Sequence, residues 1–221
     1  MIDTVLAFLA PHHCCSCGKV GNLLCSNCKY DIVSDQISVC VVCKRPAGES
    51  GICRLCRPHF DRAWTVAPRT GPLEDLIDLY KFERARAGYR VLGDLLLARL
   101  PQLPPEIVVV PIPTITPHIR ERGYDHTLLV ARYVARRRHL SLQPLLSRQT
   151  NTMQRGASKS MRRKQAAQAF TLRRPIDPTV VYLLVDDIVT TGATLDAAAK
   201  QLKEAGAKHV WVAAVAYQTL D

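Results

Sequence analysis

One stretch constrains this 221-residue chain more than any other: Val180 to Thr194, reading VVYLLVDDIVTTGAT. Val180, Val181, Tyr182, Leu183, Leu184 and Val185 run without polar alternation, as in a strand buried on both faces of a parallel sheet. Asp186 and Asp187 end the run, and Thr190, Thr191, Gly192, Ala193 and Thr194 make a turn of small and hydroxyl residues. A helix follows, TLDAAAKQLKEAGA, with Leu195, Ala198, Leu202 and Ala205 on one face and Gly206 as its stop. Its start presents unpaired N–H groups, and Gly192 lets backbone come close to an anion. Carboxylates just upstream can accept hydrogen bonds from sugar hydroxyls. The direct physical reading is a site for a ribose 5-phosphate. Adjacent aspartates also destabilise a fold unless a ligand, metal or donor relieves them.

A hydrophobic strand followed by DD, two residues and TTGAT resembles the phosphoribosyl pyrophosphate (PRPP) signature of type I phosphoribosyltransferases. The resemblance implies that Asp186 and Asp187 meet the ribose hydroxyls. It gives Thr190, Thr191, Gly192, Ala193 and Thr194 to the 5-phosphate.

Nine cysteines lie within residues 14–56, eight of them in CxxC pairs: Cys14/Cys17, Cys25/Cys28, Cys40/Cys43 and Cys53/Cys56. Each pair can form a knuckle that supplies two thiolates to tetrahedral zinc, which this spacing suits better than disulfides. Sequential pairing gives one site from Cys14, Cys17, Cys25 and Cys28 and another from Cys40, Cys43, Cys53 and Cys56. Spacing leaves other combinations open, and Cys15 stands apart. All-cysteine ligation leaves no open catalytic vertex, so two structural Zn²⁺ ions are expected. Metal binding would then supply the folding free energy of a segment too short for its own core. Residues 1–59 are expected to form this zinc-ribbon module and residues 60–221 an α/β domain. His12, His13 and His59 read as surface residues rather than ligands.

Before the module, MIDTVLAFLAP reads as a short helix packing on the body, since it lacks a basic segment and a cleavage site. With no apolar run long enough to span a membrane, the expected compartment is the cytoplasm. After it, FDRAWTVAPRT reads as a strand and LEDLIDLYKF as an amphipathic helix with Leu73, Leu76, Ile77 and Tyr80 on one face. A second helix runs from about Val91 to Leu100, closed by Pro101, Pro104 and Pro105. EIVVVPIP is another buried strand; a basic segment with Arg120 and Arg122 before Gly123 follows, then a helix opened by His126 and Thr127. Two guanidiniums there could clamp a diphosphate in bidentate fashion. Residues 147–168 read as a polar flap carrying Arg155, Lys159, Arg162, Arg163 and Lys164, able to close over a ligand or to track single-stranded nucleic acid. HVWVAAVAY supplies a last strand. Strand–helix alternation over residues 107–217 predicts a parallel sheet flanked by helices with its site at the strands' carboxyl ends.

The net charge is +11, and residues 118–174 hold fourteen Lys/Arg against Glu121 and Asp125 alone. So concentrated a basic face implies a polyanionic partner, whether pyrophosphate, nucleic acid or both.

Taken in order, four CxxC pairs, FDRAWTVAPRTGPLEDLIDLYKF, VVVPIP, RERGYDH, MQRGASKSMRRKQAAQAF and VDDIVTTGAT resemble the ComF family, over about residues 10 to 217. The family joins an N-terminal zinc ribbon to a type I phosphoribosyltransferase-like domain. Its best-known members serve natural competence, the uptake of single-stranded DNA. Where the family usually reads RGFNQ, this chain has Arg122-Gly123-Tyr124-Asp125-His126. In the flap, Gln154 and Arg162 match, while Ala157 and Gln165 replace leucine and asparagine.

The resemblance implies a phosphoribosyl ligand such as PRPP, bound with Mg²⁺ bridging its diphosphate. Arg120 and Arg122 would contact the diphosphate, with Lys81 a weaker candidate, and Asp187 would double as a base. It also implies single-stranded DNA and competence-machinery proteins, such as a DNA helicase, as partners. Those partners would bring the protein to the inner face of the membrane. Two alternatives stand beside this reading: a metabolic phosphoribosyltransferase acting on a nucleobase or amine, and a non-catalytic PRPP sensor.

Overall fold

The computed structural model describes residues 11–34, 38–83, 85–148 and 170–219. The expected N-terminal helix and nearly all of the expected flap lie outside the described residues. Five parallel strands form the central sheet in the order β1-β7-β6-β2-β3, as the unbroken apolar runs predict. These are β1 (Arg62–Pro68), β2 (Val108–Pro111), β3 (Ser141–Leu142), β6 (Val181–Val189) and β7 (His209–Tyr217). A separate antiparallel pair joins β4 (Leu146–Arg148) to β5 (Phe170–Leu172). Ser147 and Arg148, placed in the flap by composition, therefore end a strand instead.

Six helices complete the described structure: α1 (Ser26–Ser34), α2 (Gly71–Phe82), α3 (Gly88–Arg99), α4 (Thr116–Arg122), α5 (His126–Arg137) and α6 (Ala193–Glu204). Helix α4 was not evident in the sequence. It is only seven residues long and too short for an apolar stripe to declare itself. Pro117 suits its first turn, and Gly123, at φ +80°, ends it in the left-handed conformation.

The pleat sorts the core into two faces. Val109, Leu183, Val185, Ala213 and Val215 face α2, α3 and α5, and Leu24, Cys14 and Cys28 of the cysteine-rich segment join this cluster. Their sequence neighbours Val108, Val110, Tyr182, Leu184, Val212 and Ala214 face α6, the β4–β5 pair and Val41. Such alternation is the period-two geometry of a strand applied to a sheet covered on both sides. Truncating Leu183 or Leu184, both completely buried, to alanine would cost about 2–5 kcal/mol each.

Helix placement also fixes where a ligand can enter. From β2 the chain crosses by α4 and α5 to β3 at one edge, and from β6 it crosses by α6 to β7 in the opposite direction. Because β2 and β6 are neighbours, their outgoing connections diverge and open a crevice beyond their carboxyl ends.

Candidate functional site

Both aspartates lie inside β6 and not after it, since pairing with β7 continues through Asp186↔Ala214 to Val189↔Tyr217. Strand alternation sends the two carboxylates to opposite faces. Asp187 is 5% exposed, whereas Asp186 is half-buried. Asp187 Oδ2 lies 2.6 Å from Lys81 Nζ and 2.8 Å from His126 Nε2. Its other oxygen accepts from Ile188 N–H at 2.6 Å. Burial by itself would raise the carboxyl, but the His126 hydrogen bond and the Lys81 charge outweigh it and hold Asp187 well below the usual range. Asp186 goes the other way: desolvation first, then the Asp187 charge, push it well above the usual carboxylate value. Two adjacent carboxyls thus divide into an ionised acceptor and a group that favours its proton.

Arg122, only 8% exposed, brings its Nη1 within 2.8 Å of His126 Nδ1, and its guanidinium lies over the Phe82 ring. A guanidinium only donates, so the His126 ring accepts from Nη1, which lies 3.2 Å from Nε2 as well. Arg122 Nε is buried with no hydrogen-bond partner among the described residues. Around this chain of contacts, Tyr80 O–H donates to His126 O at 2.8 Å and stacks on Tyr124, with ring centroids 5.3 Å apart. Tyr124 O–H in turn donates to Tyr80 O. The end of α2 is thereby docked on the α4–α5 junction.

The two arginines predicted to act as a pair are separated in environment, because Arg120 is exposed while Arg122 is buried against His126. Lys81, the weaker candidate in sequence, is the cation that meets Asp187. His126 read only as a helix opener; its signal was its place where the resembling family carries an amide. Asp125 has a separate task, capping α5 by accepting Leu128 N–H and Thr114 O–H at 3.0 Å each. Of the arginine run closing α5, Arg138 is committed to the Leu97 and Leu100 carbonyls at the end of α3, while Arg136 and Arg137 are exposed.

Beyond β6, Thr190 and Thr191 are exposed, Gly192 is buried in the left-handed conformation at φ +77°, and α6 begins at Ala193. Thr194 is half-buried. A left-handed residue here turns the chain from strand to helix within three positions, which an L side chain would resist.

The cysteines gather as the sequential pairing supposes. In each of the two sets, Cys14/Cys17/Cys25/Cys28 and Cys40/Cys43/Cys53/Cys56, the sulfurs all lie within 4.8 Å of one another. Cys17 and Cys25 Sγ lie 3.7 Å apart, and Cys43 and Cys53 Sγ 3.5 Å apart. A tetrahedron with Zn–S bonds of about 2.3 Å has edges of about 3.8 Å, so both sets fit zinc. Their acid–base chemistry fits too. Arg45 side chain and amide hydrogen bonds lower Cys43 to about 6, while burial and its sulfur neighbours push Cys56 up to about 12. Four clustered thiols cannot all ionise unaided, and a divalent cation removes that conflict. No helix among the described residues is long and apolar enough to cross a membrane.

Metal analysis of the purified chain is expected to return two zinc ions; a metal-free, folded protein would overturn the assignment. Lys81→Met removes a partner from a buried carboxylate and is expected to lower stability by about 3 kcal/mol at pH 7 in denaturant unfolding. The native pKa of Asp187 is depressed, so its contribution is present above the unfolded value of about 4 and is lost as pH falls through the native one. The gap between wild type and Lys81→Met should therefore close at low pH; a pH-independent gap would refute the ionic origin.

The model of the phosphoribosyl transferase domain family matches residues 146–219. Competence protein F of Haemophilus influenzae is 30% identical over 209 residues, covering 86% of this chain and 89% of its own. The DNA utilization protein YhgH of Escherichia coli is 30% identical over 203 residues, with 86% and 88% covered. Competence protein ComFC of Bacillus subtilis is 24% identical over 199 residues, with 85% and 81% covered. With a parallel α/β sheet, two four-cysteine clusters and these relatives over most of its length, the chain belongs to the ComF family of phosphoribosyltransferase-like proteins.

Proposed function

We propose that the crevice at the carboxyl end of β6 binds PRPP or a related phosphoribosyl ligand together with Mg²⁺, and that the protein serves the uptake or processing of single-stranded DNA. One observation carries the ligand half: the unbroken sequence of strand, acidic pair, left-handed Gly192 and helix start at the point where the β2 and β6 connections diverge. In this reading the 5-phosphate lies on the Thr190–Thr194 loop, held by backbone N–H groups and threonine hydroxyls. Asp186 and Asp187 bind the ribose hydroxyls. Their divided protonation suits a diol, one carboxyl accepting and the other able to donate. Mg²⁺ bound with the ligand would neutralise charge on the diphosphate. Exposed Arg120 and the unmet Nε–H of Arg122 are the protein donors offered to it.

The nucleic-acid half rests on charge and kinship. Residues 118–174 carry fourteen Lys/Arg against two acids, most of them free of the roles given to Arg122 and Arg138, and the relatives are named for competence and DNA utilization. A strand of DNA would exchange its counterions for these side chains. Proteins of the same machinery, a DNA helicase among them, are the partners that would present it.

Asp186→Asn combined with Asp187→Asn is expected to abolish PRPP binding in calorimetry with Mg²⁺; unchanged affinity would remove the ligand assignment. Neutralising Arg162, Arg163 and Lys164 together should weaken single-stranded DNA binding and flatten its log–log salt dependence by about 2, at about 0.7 per lost phosphate contact. Absence of any DNA binding by the unaltered protein at low salt would sink the nucleic-acid half alone.

A further inference from the structure

The second cysteine site touches the loop assigned above to phosphate. A Cβ on Gly192 would lie 3.6 Å from Val42 Cγ2 and 3.7 Å from both Val41 O and Val42 Cα. Val41 and Val42 are the two residues between the ligands Cys40 and Cys43, so the knuckle itself is the surface that backs the loop. That knuckle is held firmly from behind. Val41 N–H donates to Gly51 O at 3.1 Å, and Ala63 N–H of β1 donates to Ser50 O at 2.7 Å. Gly51 sits at φ +67°, with the site of a Cβ only 2.0 Å from Ala63 O, so no other residue permits this approach.

Two further ties reach both ends of the strand–loop–helix unit. Three residues after Cys56, His59 N–H donates to Asp196 Oδ1 at 2.6 Å, and the His59 ring meets the same oxygen at 3.0 Å. Asp196 lies in the first turn of α6. Lys44, adjoining the ligand Cys43, donates to Val41 O at 2.6 Å, and its ammonium lies 5.7 Å from the centroid of the Tyr217 ring. Tyr217 is the register partner of Val189, the last residue of β6. The Cys40–His59 segment therefore borders the loop at Gly192, at the start of α6 and, through Tyr217 of β7, beside the end of β6.

The first cysteine site packs elsewhere. Cys14, Leu23, Leu24 and Cys28 join the cluster on the opposite face of the sheet. Cys15 donates to Pro72 O, and Lys29 pairs with Asp94 of α3 at 2.8 Å.

We propose that the metal held by Cys40, Cys43, Cys53 and Cys56 positions the Thr190–Thr194 loop, so that its occupancy is coupled to ligand binding there, while the metal at Cys14, Cys17, Cys25 and Cys28 is not. Val41 anchors the knuckle in the core, while its four sulfurs depend on an ion to hold their arrangement. Loss of the ion releases Cys40 and Cys43 on either side of Val41 and Val42, and the loop loses a fixed wall behind Gly192 before ligand arrives. Coupling is reciprocal, so a ligand on the loop tightens the metal by the same factor. The ligand half rests on the phosphoribosyl reading; the loop-ordering half does not.

The test is hydrogen exchange on the full zinc-loaded chain. Cys53→Ser with Cys56→Ser, which removes the second site, should speed exchange of the amides of residues 190–194 about tenfold, a typical size for coupling between sites. Amides in the middle of β6 should stay unchanged. Cys25→Ser with Cys28→Ser should leave the loop as it is. Val42→Ala, which keeps both metals, should shift the loop in the same direction by less, and it decides the matter if the cysteine variants fail to fold. Unchanged loop exchange, or equal changes on losing either site, overturns the proposal. With PRPP added, chelator should extract zinc more slowly from the second site alone; equal slowing at both also overturns it. A wild-type protein that does not bind PRPP refutes the phosphoribosyl reading, and loop exchange still decides the metal's role.

Discussion

A carboxylate that is nearly inaccessible to water has to be compensated, and Asp187 organises much of this molecule around that need. Its partners come from distant parts of the chain: Lys81 from the end of α2 and His126 from the start of α5, with Arg122 behind the imidazole. Fixing those side chains fixes the elements that bear them. The Tyr80–Tyr124 stack and the Tyr80 hydroxyl on His126 O seal the same junction with apolar area and a buried hydrogen bond. Removing water from an ion pair is expensive, and such a cluster is weak evidence for stability in its own right. Its value is specificity of arrangement: one docking of α2 on the α4–α5 turn brings Lys81 and His126 together on Asp187, and it lies at the crevice where the β2 and β6 connections part.

The cysteine-rich segment is integrated with the α/β body rather than appended to it. One of its four-cysteine sets contributes to the core on the α2–α3 face, and the other packs Val41 into the α6 face. A segment with so little apolar content would be marginal alone. Sharing two cores and offering two tetrahedral thiol sets gives it a defined position against the sheet edge at β1 and against the strand–loop–helix unit.

The parallel sheet, the four knuckles and the strand–carboxylate–loop–helix order were all readable before the structure, since each rests on local spacing, whereas the grouping of the knuckles into two sets came from the structure. Unbroken apolar runs, CxxC spacings and a glycine after two threonines need no knowledge of the rest of the chain. What escaped detection was short or relational. Helix α4 has too few turns to show a stripe, and β3, β4 and β5 have only two or three residues each. The Arg120/Arg122 pair looked equivalent along the chain, yet helix geometry places neighbours two residues apart on different faces, leaving one exposed and one buried.

By itself, the sequence determined that Tyr182–Val185 would lie buried in a parallel strand, that Asp186 and Asp187 would sit toward its carboxyl end, and that eight cysteines would come as four metal-binding knuckles. These follow from interactions between residues near one another in the chain. Only the tertiary structure decided that Lys81 and His126 would meet Asp187, that Arg122 would turn inward, and that the Val41–Val42 knuckle would lie on Gly192. Apart from the Arg122–His126 contact, which spans four residues, such contacts reach across tens of residues to about a hundred and fifty, and they exist because burying the two faces of one sheet leaves few ways to bring those segments together.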